Sequence, residues 1–168
     1  MAKIDDLIDE LSKISPMPDD NTLTPEVLED YEAIVSEMAL LKDPKCILPL
    51  IKSFGYGEAW GLYWTTLHLL EEFPVEQVDP ILIEGLSTEG KGTRMWAAYM
   101  LGRSRNIQAV DGLINLLKDP NELVRYNAAT ALGMIGDSIA RPYLEAIKND
   151  TSTKVRNAVE GALGDIKQ

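Results

Sequence analysis

The chain has 168 residues, 45% of them hydrophobic, a formal net charge of −11 and a single cysteine. That is one domain's worth of sequence, able to bury about 70% of its extended-chain surface if compact, and no apolar run approaches the ~20 residues of a membrane span. The lone Cys46 excludes an intrachain disulfide and suits a reducing cytoplasm, while the acidic balance opposes binding to nucleic-acid phosphate, which depends on Lys and Arg.

The charge is unevenly placed. Residues 1–86 carry 18 acids and 5 lysines with no arginine, a net −13, whereas residues 87–168 carry 9 acids and 11 bases, a net +2. Such a field favours a basic protein partner and speeds its encounter at low salt, although it serves solubility equally well.

From the N-terminus, Ile4, Leu7, Ile8, Leu11 and Ile14 form a helical stripe among Asp5, Asp6, Asp9 and Glu10. The opening residues are acidic and lack a signal-peptide core. Ser15–Thr22 reads as a loop from its Pro and Asp content. Thr24-Pro25-Glu26 predicts a helix start, with Thr as N-cap and Pro at the first position, and that helix runs to about Leu41. Asp43-Pro44 is the turn into the next helix, and Cys46, beside Ile47 and Leu48, reads as a buried thiol rather than a nucleophile.

Phe54–Gly57 is a loop before a helix whose core columns are Leu62, Thr66, Leu70 and Phe73. Trp60 and Trp64 fall off that stripe, in a row continued by Leu67, and are expected to pack beneath the N-terminal helix or beside a neighbouring unit. The alternative is an exposed aromatic patch of the kind enriched at binding hot spots. His68, the one histidine, has no second ligand at metal spacing and no nucleophile partner, so neither a metal site nor a catalytic residue is predicted. Gly85–Thr93 nearly spells a phosphate-binding loop, but a helix precedes it and Gly92 stands where the magnesium-binding hydroxyl belongs.

The C-terminal half is organised by a repeat. Arg94, Ala97, Ala98, Leu101 and Gly102 recur as Arg125, Ala128, Ala129, Leu132 and Gly133, and again, more loosely, in Arg156, Val159, Leu163 and Gly164. The offset is 31 residues throughout, and periods of 20–50 residues mark stacked supersecondary units. Pro49, Pro80, Asp111 and Pro142 keep the same step, as do Ile51, Leu82, Leu113 and Leu144. Each unit reads as two helices that cannot bury their stripes alone. The glycine after each leucine is expected to end the first helix.

The turn Asp, the Val-Arg pair six residues on and the Ala-rich run to Leu-Gly resemble the HEAT-like repeat in its short, phycobilisome lyase-type form. The resemblance is close over 87–168, looser over 58–86, faint over 24–53 and absent over 1–22. It implies an all-α right-handed superhelix of about four and a half helix pairs, with a single domain over 1–168. Within it, 1–22 is an N-terminal cap, repeats occupy about 24–55, 58–86, 87–118 and 119–149, and a half-repeat over 150–168 caps the array or leaves an edge for self-association. The resemblance also implies an Asp–Arg ladder between repeats, which makes Arg94, Arg125 and Arg156 structural.

HEAT resemblance further implies protein recognition on the face lined by the second helices. The residues expected to project there are Leu48, Asp79, Val110 and Arg141, then Lys52, Ile83, Ile114 and Glu145, flanked by Gln108, Asp111 and Asn115. With Trp60 and Trp64 these make the candidate partner-binding set. The expected function is a non-catalytic, monomeric cytoplasmic binding module or adaptor with no cofactor, whose sharper form is an acidic inhibitor or immunity-type partner of a basic protein. A bilin lyase-like or chaperone role is the alternative, and DNA binding, as in HEAT-like alkylpurine glycosylases, stands last because of the acidic balance. Deoxyhypusine hydroxylase, a HEAT-repeat enzyme with His-Glu pairs as iron ligands, is set aside because this chain has no His-Glu dipeptide.

Overall fold

The computed structural model describes residues 3–166, without the side chain of Trp60. Among the described residues the regular structure is ten α-helices and four short 3-10 turns. They form two compact units, residues 1–81 and 82–168.

In the first unit, α1 (Ile4–Ile14) buries Ile4, Leu7 and Leu11 against α2 (Pro25–Leu41) and α3 (Ile47–Ser53). Its acidic residues Asp5, Asp6, Asp9 and Glu10 face outward. Helix α2 begins where the Thr24 side chain accepts the Val27 N–H, with Pro25 supplying a pre-set φ, and it ends at Lys42 in the left-handed region. Asp43 then accepts the Lys45 N–H at 3.0 Å and starts the turn into α3.

The centre of this unit is a hydroxyl cluster inside an apolar core. Tyr31 on α2 is fully buried, with its hydroxyl 2.9 Å from both Ser53 Oγ on α3 and Thr66 Oγ1 on α4 (Tyr63–Glu71). Ser53 in turn donates to the Leu50 carbonyl at 2.7 Å. The Tyr63 hydroxyl accepts the Gly55 N–H at 2.7 Å, and Tyr31 and Phe54 pack edge-on to the Tyr63 ring. Each of these hydroxyls therefore has a partner, which is the condition for burying it cheaply.

The boundary between the units falls inside α5 (Val75–Gly85). The second unit then holds α6 (Lys91–Arg103), α7 (Val110–Leu116), α8 (Glu122–Ile135), α9 (Arg141–Ala146) and α10 (Thr153–Asp165). Helices α6, α8 and α10 pack in sequence, α6 on α8 and α8 on α10. The repeated alanines and leucines form their interior: Ala97, Ala98, Leu101, Ala128, Ala129 and Leu132 are all 0% exposed.

Two expectations change here. Gly102 and Gly133 do not end their helices; they sit inside α6 and α8, and the end of α8 is Gly136 at φ 77°. The repeated glycine is instead a contact point. A Cβ built on Gly102 would stand 2.7 Å from Ala131 Cα, and one on Gly133 would stand 2.8 Å from Ala162 Cα, so only glycine allows the helices this close. Val110 and Ile114, expected to project from the second helices, are buried at 4% and 8% exposure. Helix α7 is closed on two sides: it packs on α8, and Leu86 abuts Gly112.

Candidate functional site

Two shielded ion pairs join the repeats of the second unit to one another. Arg94 Nε donates to Asp119 Oδ2 at 2.7 Å, and Arg125 Nε donates to Asp150 Oδ2 at 2.8 Å with a second bond from the same guanidinium to Oδ1 at 3.0 Å. Each arginine also reaches the backbone carbonyls of the turn before its own helix: Thr88 and Glu89 for Arg94, Asp119 and Pro120 for Arg125. Side-chain exposures are 13% and 5% for the first pair and 13% and 9% for the second. Burial pushes the Asp119 carboxyl up, but its hydrogen bonds from Arg94 and Asn121 outweigh that and hold it below the ordinary value. The Arg125 hydrogen bond does the same for Asp150. The expected ladder is present between α6, α8 and α10.

The candidate surface residues are spread over both units. Lys52 is exposed on α3 and Asp79 half-buried on α5, while Gln108, Asp111 and Asn115 share the solvent side of α7 and the turn before it. Ile83 is half-buried, and Glu145 pairs with Lys148 at 3.4 Å. Arg141 is not a free recognition side chain, because it caps the end of α10 by donating to the Leu163 and Ile166 carbonyls at 3.1 and 3.0 Å. Trp64 is 42% exposed, and His68 and Glu71 on the same helix are also exposed, while Tyr63, Thr66, Leu67 and Leu70 take the inward face of α4. The Trp60 side chain lies outside the described residues.

Reactive groups are few. The Cys46 thiol is buried, and desolvation with the nearby Asp43 charge pushes it up to about 11. Burial likewise pushes the Tyr31 hydroxyl up to about 12. His68 is 72% exposed at its side chain and lies 3.4 Å from Glu71. Among the described residues no three His, Cys, Asp or Glu side chains converge as metal ligands. No helix there is long and apolar enough to cross a membrane.

Residues 80–164, half of the sequence, match the family model for HEAT repeats. The chain belongs to the HEAT-repeat family. Within it, the chain is 37% identical over 73 residues to deoxyhypusine hydroxylase of Debaryomyces hansenii and 38% identical over 72 residues to that of Drosophila melanogaster. Each match covers 42% of this chain and 24% of the relative, so the chain spans about a quarter of the length of these curated relatives. The solved structure of human deoxyhypusine hydroxylase in complex with glycerol aligns over 97% of this chain and 73% of that one, with a TM-score of 0.57 at 19% identity, which shows a shared all-α HEAT fold.

This kinship corrects the functional expectation. The relatives are named as enzymes, so the non-catalytic adaptor and the inhibitor or immunity-type partner are both displaced, and the bilin lyase or chaperone alternative has no support among them. Want of a His-Glu pair is no ground for setting deoxyhypusine hydroxylase aside, because the likeness needs no such pair. The iron ligands themselves are a separate matter. With His68 as the one histidine and no convergent ligand group among the described residues, this chain's side chains do not fit an iron site.

Proposed function

We propose that the chain works in an enzyme of the deoxyhypusine hydroxylase kind, contributing HEAT repeats and substrate contact, with the metal held by residues other than its own. The observation that carries this reading is the 37–38% identity to two such hydroxylases from distant organisms. Charge supports it. Deoxyhypusine is a lysine extended by an aminobutyl arm and is cationic at neutral pH, and residues 1–86 carry a net −13. Two of the five lysines there are already held by acids, Lys42 by Glu72 at 2.7 Å and Lys45 by Asp5 at 3.1 Å. The partner on this reading is a basic protein segment bearing the modified lysine, met in the cytoplasm, where a lone buried thiol stays reduced.

Depletion and add-back test the reading. Extract from the source cells is expected to add one oxygen to a deoxyhypusine-bearing peptide, seen by mass spectrometry, to lose that activity when this protein is removed, and to regain it when the purified chain is returned. The same peptide should bind the purified chain more tightly than its unmodified-lysine counterpart, with affinity falling as salt rises. Activity indifferent to depletion, or equal binding of the two peptides, refutes the proposal.

A further inference from the structure

Helix α8 packs on α6, α7 and α10. The side it leaves to solvent carries Tyr126, Thr130 and Met134 in one row, four residues apart. Tyr126 is 37% and Met134 41% exposed, although both are large. Between them Thr130 is half-buried, its hydroxyl donating to the Tyr126 carbonyl at 2.9 Å. The row is therefore a notch about 12 Å long, walled by Tyr126 and Met134 and floored by the smaller Thr130. Its flanks are filled by α6 and α10, so the stacking of helix pairs leaves this side open.

One end of the notch is cationic. Met134 Sδ lies 3.5 Å from where a Cβ on Gly102 of α6 would stand. The next residue is Arg103, whose guanidinium donates to the Tyr99 hydroxyl at 3.3 Å and lies over the Tyr99 ring. Arg105 follows and is exposed. Residues 90–110 contain no Asp or Glu, in a chain of net charge −11, and the acid of the α8 row, Glu122, is at the far end. An aliphatic side chain with a carboxylate one turn away is complementary to such a surface.

The chain carries that complement itself. The solvent side of α2 presents Glu29, Ala33, Glu37 and Leu40, all exposed and spaced four, four and three residues apart. Leu40 is 77% exposed, the most of any large hydrophobic residue described. We infer that the protein self-associates through these two faces: Leu40 of one copy enters the Tyr126–Met134 notch of another, and Glu37 pairs with Arg103 beside it. A second copy is favoured over an unrelated acidic protein because its α2 holds the leucine and the carboxylate one turn apart. Nucleic-acid phosphate is the poorer occupant, since the notch is mainly uncharged and the chain as a whole is acidic. The inference does not rest on the proposed enzymatic role.

Sedimentation velocity of the full chain tests it. Average mass is expected to rise with protein concentration and to fall as salt is added. Leu40→Gln and Met134→Gln should each weaken association at least about tenfold. Glutamine is a good helix former and both positions are exposed, so the urea midpoint should stay at the wild-type value and lost association is not lost fold. Mixing identifies the pairing: the Leu40→Gln chain keeps its notch, the Met134→Gln chain keeps its leucine, and together they should form a one-to-one complex that neither forms alone. A mixture no more associated than its parts overturns the inference, as does association indifferent to both substitutions. A chain that stays monomeric at every concentration also overturns it; poly-glutamate or duplex DNA added to that monomer then shows whether a foreign acidic chain or nucleic acid takes the face instead.

Discussion

Adding one methyl group at two glycines of the second unit should shift stability in opposite directions. In Gly133→Ala the new Cβ would lie 2.8 Å from both Cα and Cβ of Ala162, where carbon atoms settle at about 3.5–4.0 Å. Neither neighbour is the end of a flexible side chain, so α8 and α10 must part by roughly 1 Å, which also strains the Arg125–Asp150 bonds between the same helices. Overpacking of this kind costs about 1–3 kcal/mol, against a gain of about 1 kcal/mol from replacing glycine inside a helix. The difference is a net destabilisation of up to about 2 kcal/mol. Gly161→Ala, inside α10 with nothing within 4 Å, keeps the propensity gain alone and should stabilise by somewhat under about 1 kcal/mol. Urea denaturation followed by circular dichroism reads both as shifts in midpoint. A Gly133→Ala variant as stable as Gly161→Ala would show that the close approach of the helices does not set the identity of the repeated glycine.

Asp150→Asn should cost about 3 kcal/mol at neutral pH, because it leaves the shielded Arg125 without its anion. The Asp150 carboxyl is held below the ordinary 3.8, so its stabilisation is full above that value and is lost as pH falls through the lower folded-state value. The gap in urea midpoint between wild type and variant should therefore close in strong acid; a gap of constant size refutes the assignment. Tyr31→Phe removes the hydroxyl that bridges Ser53 and Thr66 and should cost about 1–2 kcal/mol, since Thr66 loses its buried partner while Ser53 keeps Leu50. An unchanged midpoint for that variant would contradict the structural weight given to the cluster. Cys46 should react with a thiol reagent at least about 10³-fold more slowly in the native protein than in urea, because reaction waits on opening; fast native labelling would place the thiol at the surface.

The repeat makes much of the second unit legible from residues alone. A 31-residue step locates α6, α8 and α10, and the spacing of Asp and Arg anticipates the ladder, because both depend on stacking that recurs identically. The glycine column misleads, since a glycine after a leucine looks the same in sequence whether it ends a helix or admits a neighbouring backbone. Only the 2.7 and 2.8 Å approaches separate the two meanings. Val110 and Ile114 mislead for a related reason. Seven-residue α7 has neighbours on two sides, so a single-stripe pattern understates what it buries. In the first unit Tyr31 lies 22 residues from Ser53 and 35 from Thr66, and no local spacing announces that their hydroxyls meet.

Local pattern and assembled structure divide over function in the same way. A search for chemistry along this chain finds a buried thiol and one exposed histidine, and taken alone they point away from catalysis. Similarity to the hydroxylases is seen instead as 37–38% identity over 72–73 residues, and the HEAT-repeat match spans residues 80–164. An enzyme built of stacked helix pairs needs its ligands on only a few of them, and the remaining pairs must still match their neighbours in pitch and register. Those packing constraints act at many positions in every pair, whereas ligand constraints act at few. A HEAT unit without ligands can therefore retain clear similarity to an enzyme whose metal-binding residues it lacks. The motif alone is the wrong criterion for excluding such an enzyme, and the absence of converging ligands is the right criterion for asking which residues hold the metal.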